Sequence, residues 1–355
     1  MRKVHVSKVK PQDILAKKIF DAEGRTLLSE GVRLTPAYLD RLTSLGIEYI
    51  FIEDEISKGI KPEDFVQEET RQAGKNAIKG TIEKYINYGG TNFDGVVKYC
   101  SSIIDEILNR KEVLINVSEI RSTDEGIYGH SVNVCALAVI TGTYLGYNML
   151  RLKDVAIGAL MHDVGKVVVM NDVSKTREKA VRPSHSEVVQ KHPRAGYEFL
   201  AKNNEISAIS KIIVLMHHER CDGTGFPMGL KKSEIHEVAR LVAVCDAFDN
   251  LVSGKPDLKA MQVYEAVEYL TAMSDSLFDG EVVKKFIENV AVYPSASGVL
   301  LSTGEKGIVA AQNKSFPTRP VVRVLYDSKG QQLIEPKEID LSKEMTLFIT
   351  GVCDL

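Results

Sequence analysis

Along the 355 residues the spacing of apolar positions changes period twice. From residue 1 to about 56 the apolar runs are short and β-like: Val4 to Val9, Ile19-Phe20, Leu27-Leu28 and Ile47 to Ile52, with a turn at Ala22-Glu23-Gly24. One helix is expected among them, opened by Pro36 and stopped by Gly46. From about 57 to 115 helical spacing with many charges takes over, and Tyr88-Gly89-Gly90-Thr91-Asn92 divides it into helices over about 62–88 and 93–108. These two read as a connector or, equally well, as the first helices of the next domain. From about 116 to 290 the pattern is nearly all helix. From 291 to 355 it returns to short β-rich runs at Gly298 to Leu301, Gly307 to Ala310, Pro320 to Leu325 and Thr346 to Ile349. The expectation is a mainly α chain: a small N-terminal α/β module (1–56), a helical connector (57–115), an all-helical domain (116–290) and a small β-rich C-terminal module (291–355).

The helical domain repeats one anomaly. In Met161-His162-Asp163-Val164-Gly165-Lys166, a His and an Asp close a helix whose apolar stripe runs through Leu152, Val155, Ala156, Ala159 and Leu160, and the spacing puts Asp163 on that stripe. Burying an unpaired carboxylate there costs several kcal/mol, so it needs a cation or strong donors. On a helix over about 123–145, His130 shares a face with Ile127, Val134, Leu137, Ala138 and Thr141. His217 ends the stripe of Ile206, Ile209 and Ile213, with His218 beside it. Asp246 and Asp249 share a face with Ile235, Val238 and Val242. His192 stands before Pro193, a favoured first-turn residue, and so at the mouth of a helix. One inward His is usually a satisfied core residue; four helices each ending an apolar stripe in a metal-competent side chain, with His192, are a site.

Composition narrows the chemistry. A hydrophobic content of 44% with 26% charged residues fits a soluble globular chain, and no run of about 18 apolar residues or leader-like start is seen, so the expected location is cytoplasmic, with no membrane span. The five cysteines are scattered with no C-x-x-C pair, which argues against a thiolate zinc site. A net charge of −3 gives no broad basic surface for a nucleic-acid polymer, so a phosphate ligand would be met locally by metal, Lys and Arg.

Imidazoles and carboxylates without thiolates suit first-row divalent metals. Seven candidates exceed the need of one catalytic metal, and two metals are the economical reading, with Asp163 able to bridge them. Such a pair lowers the pKa of a bridging water, holds a phosphodiester oxygen and stabilises the leaving alkoxide, which is hydrolysis without a protein nucleophile. Lys166 could neutralise phosphate charge, and Arg220 offers a bidentate phosphate or guanine contact. The loop Cys221-Asp222-Gly223-Thr224-Gly225-Phe226-Pro227 brings an aromatic that could stack on a base.

Together, His162-Asp163 with Gly165-Lys166, His192-Pro193 with Gly196, His217-His218-Glu219-Arg220 with Asp222-Gly223 and Gly225-Phe226-Pro227, and Asp246 with Ala247 and Asp249 resemble the HD-GYP family. That family is a branch of the HD-domain metal-dependent phosphohydrolases, bacterial proteins that hydrolyse cyclic di-GMP to the linear dinucleotide or on to GMP. The resemblance is dense over about 120–255. It implies metal-ligand positions at His130, His162, Asp163, His192, His217, His218 and Asp246, with Asp163 as the bridge and Lys166 and Arg220 on substrate phosphates. It also implies two divalent first-row ions, iron first and manganese second, and a cyclic dinucleotide substrate. A homodimer or a signalling partner through the N-terminal region is left open.

Three departures bear on that reading. The Gly-Tyr-Pro signature reads Gly225-Phe226-Pro227, losing a hydroxyl and keeping the ring. Gly126 stands one helical turn before His130, where some members carry a carboxylate for a third metal, which favours two metals here. The segment before His192 carries Lys175, Arg177, Lys179 and Arg182 in place of Lys-Pro-Gly. The alternatives are a phosphodiesterase for another cyclic dinucleotide and a catalytically silent module that binds one.

Overall fold

The computed structural model describes residues 1–20, 25–62, 65–110, 114–116, 126–175, 184–254 and 259–355, with 172–175 and 185 described by backbone alone. The turn at Ala22-Glu23-Gly24, Arg177, Lys179, Arg182 and the Lys175 side chain lie outside these.

The N-terminal strands β1 (Arg2–His5), β2 (Ile14–Leu15), β3 (Ile19–Phe20) and β4 (Thr26–Leu28) precede helix α1 (Pro36–Ser44), and β5 (Tyr49–Glu53) returns to form a sheet in the order β1-β5-β2. Val4 stands opposite Ile50 in an antiparallel register. The side chain of Thr35 accepts the Tyr38 N–H and Pro36 fills the first turn, which fixes the start of α1 as expected from the sequence. Val4, Leu15, Leu34, Leu42 and Ile50 close a small core.

The helical unit comprises α2 (Glu68–Tyr88), α3 (Asp94–Asn109), α4 (Gly126–Tyr144), α5 (Met149–Met161), α6 (Val164–Lys175), α7 (His185–Ala201), α8 (Ala208–Met216), α9 (Glu237–Ser253), α10 (Val263–Ala272) and α11 (Gly280–Ile287). One apolar cluster runs through it, from Ile78 and Ile103 through Val134, Leu160, Ile213 and Val242 to Phe286. The helices α2 and α3, expected as a connector, belong to this core: their apolar faces are buried, and Arg71 of α2 is buried and donates to Asn133 of α4. The helix α4 is buried around its whole circumference from Ser131 to Gly142, so it is the central helix of the unit. Among the described residues no helix is long and apolar enough to cross a membrane.

The C-terminal module is a five-stranded antiparallel sheet of β6 (Gly298–Leu301), β7 (Lys306–Ala311), β8 (Val321–Tyr326), β9 (Gln332–Asp340) and β10 (Ile349–Val352), ordered β10-β6-β7-β8-β9. The sequence pattern misses β9, because a largely exposed edge strand with Pro336 inside and charges at Glu335, Lys337, Glu338 and Asp340 carries no regular apolar period. It also places the last strand three residues early. The two terminal modules pack on each other: Ala16, Phe51 and Ile60 share an apolar cluster with Ala296, Ile308 and Leu325. The Lys3 amide donates to the Ala296 carbonyl, and Arg323 donates to the carbonyls of Ile56 and Lys58. The chain thus folds as one helical unit with a second body built from both ends. The all-helical domain flanked by a small N-terminal α/β module and a C-terminal β module is as the sequence leads one to expect.

Candidate metal centre

Side chains on or just beyond five helices, α4, α5, α7, α8 and α9, converge on one point. His162 follows the last residue of α5 and His217 the last residue of α8, where helix carbonyls lack intrahelical partners. Each imidazole turns its Nδ1 back to the carbonyl three residues earlier: His162 to Ala159 at 2.7 Å and His217 to Val214 at 2.9 Å. His192 makes the same contact with the Val189 carbonyl at 2.7 Å. Here the sequence reading needs correction. Pro193 lies inside α7, which begins nine residues upstream of it at a Ser184 capping box with Glu187. Lacking an N–H, Pro193 leaves the Val189 carbonyl without its usual partner, and His192 takes it.

A carbonyl can only accept, so Nδ1 carries the proton in all three rings and Nε2 presents a bare lone pair to the centre. His192 Nε2 lies 3.1 Å from His217 Nε2, and His162 Nε2 lies 3.2 Å from His130 Nε2. Asp163 Oδ1 is buried with no hydrogen-bond partner, 3.2 Å from His192 Nε2. The lone pairs of His192 Nε2, His217 Nε2 and Asp163 Oδ1, facing one another in a dry interior, repel unless a cation lies among them.

The groups fall into two sets, Asp163 with His192, His217 and His218, and His130 with His162 and Asp246, each with its ligand atoms within 4.8 Å of one another. Asp163 faces both: Oδ1 is 3.2 Å from His192 Nε2 and 3.9 Å from His217 Nε2, while Oδ2 is 3.6 Å from His162 Nε2 and 3.9 Å from His130 Nε2. All seven residues named from the sequence as metal ligands therefore come together. The donor set, hard oxygen and imidazole nitrogen with the opposite ring nitrogen tied to the backbone, fits divalent metal binding.

The charges follow from this arrangement. Burial alone would lower the pKa of His130, but the carboxylates of Asp246 (2.9 Å from Nε2) and Asp249 (2.8 Å from Nδ1) raise it to about 10. Burial, joined by neighbouring histidines, drives His217 well below the ordinary imidazole range, and burial takes His218 down to about 3 despite the attraction of Asp246. Asp163 and Asp246 are held well below the carboxylate range: burial opposes this, but His162 and Lys166 beside Asp163, and His130 and His162 beside Asp246, outweigh it.

Lys166 is expected from the sequence beyond a helix end; it sits instead in the first turn of α6, which starts at Val164, and its Nζ donates to Asp163 Oδ2. Gly165 makes the crossing of α6 and α7 possible, since a Cβ there would come within 1.9 Å of the His192 carbonyl oxygen. The guanidinium of Arg220 donates through Nη1 to the carbonyls of Glu219 and His217 and lies over the Phe278 ring at 5.1 Å. The Phe226 ring stands 4.7 Å from that of His218. Two residues take parts that the stripes did not assign. Asp249 accepts from His130 Nδ1, orienting its ring, and its place on the α9 face was the available signal. Glu219, buried beside the two histidines, binds the loop that carries Phe226; nothing in its spacing marks it.

A helical unit with a His/Asp cluster at its centre defines a class, and comparison with known proteins names it. Residues 112–282 match the HD domain family, and residues 298–355 match a KOW domain associated with HD domain. Over residues 112–282 the helical unit carries an HD domain, and its motif set resembles that of the HD-GYP branch. The chain is 30% identical over 249 residues, 69% of its length, to a Pseudomonas aeruginosa protein named cyclic di-GMP phosphodiesterase PA4108. It is 34% identical over 156 residues, 44% of its length, to the cyclic di-GMP phosphodiesterase response regulator RpfG of Xanthomonas campestris pv. campestris. It is 25% identical over 191 residues, 54% of its length, to 3'3'-cGAMP-specific phosphodiesterase 1 of Vibrio cholerae. The aligned parts span 60%, 41% and 43% of those proteins.

Proposed function

We propose that this chain is a metal-dependent phosphodiesterase that hydrolyses cyclic di-GMP to the linear dinucleotide or GMP in the cytoplasm. The observation that supports it best is the Asp163 carboxylate, with one oxygen toward each of two histidine-rich sets. His192, His217 and His218 would hold one divalent ion, His130, His162 and Asp246 the other, and Asp163 would bridge them. Iron is the first choice of metal and manganese the second, because imidazole and carboxylate donors without thiolate suit both. When bound, the ions would supply Lewis acidity toward a phosphodiester oxygen and an acidified water as nucleophile.

The chain's own residues contribute position and charge. Backbone carbonyls without an intrahelical partner fix the tautomer of His162, His192 and His217, so their ligand atoms need no rearrangement. Asp249 orients His130. Lys166, one turn into α6, holds a positive charge at the edge of the centre that a phosphate oxygen can share. Arg220 keeps its guanidinium beside the same loop, fixed on backbone carbonyls, for a second phosphate or a guanine edge. The ring of Phe226 offers a face on which a base can stack.

The resemblance to a 3'3'-cGAMP-specific enzyme supports a second reading, in which the preferred substrate is a different cyclic dinucleotide. A product assay separates the two. Protein purified without oxygen is loaded with iron or manganese, incubated with cyclic di-GMP and with 3'3'-cGAMP, and the nucleotides are separated by chromatography. Linear dinucleotide or GMP from cyclic di-GMP at the higher kcat/KM is the expected result. Faster turnover of 3'3'-cGAMP would move the assignment to the second reading. No product from either, with two metals bound, would overturn both in favour of a binding module.

A further inference from the structure

Glu219 lies between the ligand His218 and the phosphate candidate Arg220, yet its carboxylate turns away from the centre. It is only 2% exposed. One oxygen accepts the Met228 amide at 2.7 Å and the other the Leu230 amide at 2.8 Å. Each oxygen thus accepts from a backbone donor of the loop that follows. The loop folds back tightly on this carboxylate. The Phe226 amide donates to the His218 carbonyl at 3.2 Å, and a Cβ on Gly225 would come within 2.3 Å of the Arg220 amide nitrogen and 2.5 Å of the Glu219 Cα, so only glycine permits the approach. The Lys232 amide closes the loop on the Cys221 carbonyl at 3.0 Å, and the Cys221 amide ties it to Leu277 at 3.0 Å. The outcome is the Phe226 ring held 4.7 Å from the His218 ring, tilted 33°.

We infer that Glu219 is a positioning residue: by clamping the amides of Met228 and Leu230 it fixes Phe226 against His218 as the aromatic wall of the dinucleotide site. The clamp stands on the geometry alone; the wall rests on the phosphodiesterase reading. Glu219→Gln keeps size and shape but sets an amide NH2 against one of the two backbone N–H groups, so one clamp is lost without opening a cavity.

Three readouts on full-length, metal-loaded protein decide it. In Glu219→Gln, amide exchange of the peptide carrying Met228 and Leu230 should rise at least about tenfold, with α8 and α9 unchanged and metal content equal to wild type. The chain has no tryptophan, so Phe226→Trp places a single emitter at the wall. Adding Glu219→Gln to it should red-shift the emission and increase quenching by acrylamide. With cyclic di-GMP, Glu219→Gln should raise KM by about tenfold or more, within the roughly 100-fold that a misplacement of about 1 Å can cost. Unchanged exchange and emission would overturn the clamp, and so would loss of metal from Glu219→Gln, because that would make Glu219 part of the metal centre. Faster exchange with unchanged KM would overturn the wall. If wild type turns over no cyclic dinucleotide, the phosphodiesterase reading fails, and exchange and emission still decide the clamp.

Discussion

The helical unit and the terminal body both bury dense apolar cores, but only one of them buries charge. Among the described residues of 1–60 and 295–355, the fully buried polar side chains are Ser57 and Ser295. The helical unit buries Arg71, Asp163, Glu219, Asp246 and Asp249 together with His162, His192 and His217. Apolar burial suffices to hold a fold, and an ionisable group in a core costs several kcal/mol unless it is paired. Some of these groups are answered by the protein itself: Arg71 by Asn133 and Glu68, Glu219 by two backbone amides. The His/Asp cluster is different, because the Nε2 lone pairs of His192 and His217 face each other and Asp163 Oδ1 has no donor. What separates a structural buried charge from a site is whether the protein completes its hydrogen bonds.

That contrast can be broken by three substitutions, from the largest effect on the site down, and by a change of pH. Asp163→Ala removes the group shared by both sets, so turnover should fall by more than about 100-fold, beyond the 10–100-fold range of outer-shell changes, and metal content measured by plasma mass spectrometry should fall with it. Near-wild-type turnover would remove the bridge from the account. Ile308→Ala, in the apolar interface of the terminal body, should cost about 2–5 kcal/mol in chemical unfolding of that body and leave metal content unchanged; a variant that stays folded but loses its metals would show that the two regions are not separate. Asp249→Asn keeps the size of the side chain that orients His130, and titration should show about 10–100-fold weaker metal binding.

The fourth test is pH, read as stability. In chelator-treated protein, His217 and His218 are held uncharged, His218 down to about 3, while the unfolded chain protonates both below about 6.5. The unfolded state then binds more protons, so stability should fall as pH drops from about 6.5 toward 4, by up to about 1.4 kcal/mol per pH unit for each group. Asp163 and Asp246, whose pKa values are lowered, give a contribution lost only below about 4. His130, raised to about 10, contributes fully below about 6.5 and loses that contribution as pH rises through 10. Urea midpoints that stay level between pH 6.5 and 4 would contradict this ordering.

Much of the centre was legible because a buried carboxylate or imidazole interrupts an apolar stripe: His130, Asp163, His217 and Asp246 each stand where a Leu or Val would otherwise pack. His162, His192 and His218 needed the family motif, since none of them stands on an apolar stripe read from the sequence. Pro193 misled the placement of α7 because proline favours first turns, and its interior position becomes sensible only once the His192 imidazole is seen on the Val189 carbonyl. The pairing of the two terminal modules was not legible, as Phe51 and Ile308 follow the same strand pattern whichever surface they bury. Glu219 reads as one more surface charge until its two amide partners are in view.

The most direct test of the centre itself is to count metals. Full-length protein is purified without oxygen, reconstituted separately with iron and with manganese, freed of loosely held ions, and measured by plasma mass spectrometry against protein concentration. Two ions per chain, falling to one or fewer in Asp163→Ala with the helical fold retained by circular dichroism, is the expected result. A folded wild-type chain that holds no metal, or that keeps both ions without Asp163, would contradict a centre built around that carboxylate.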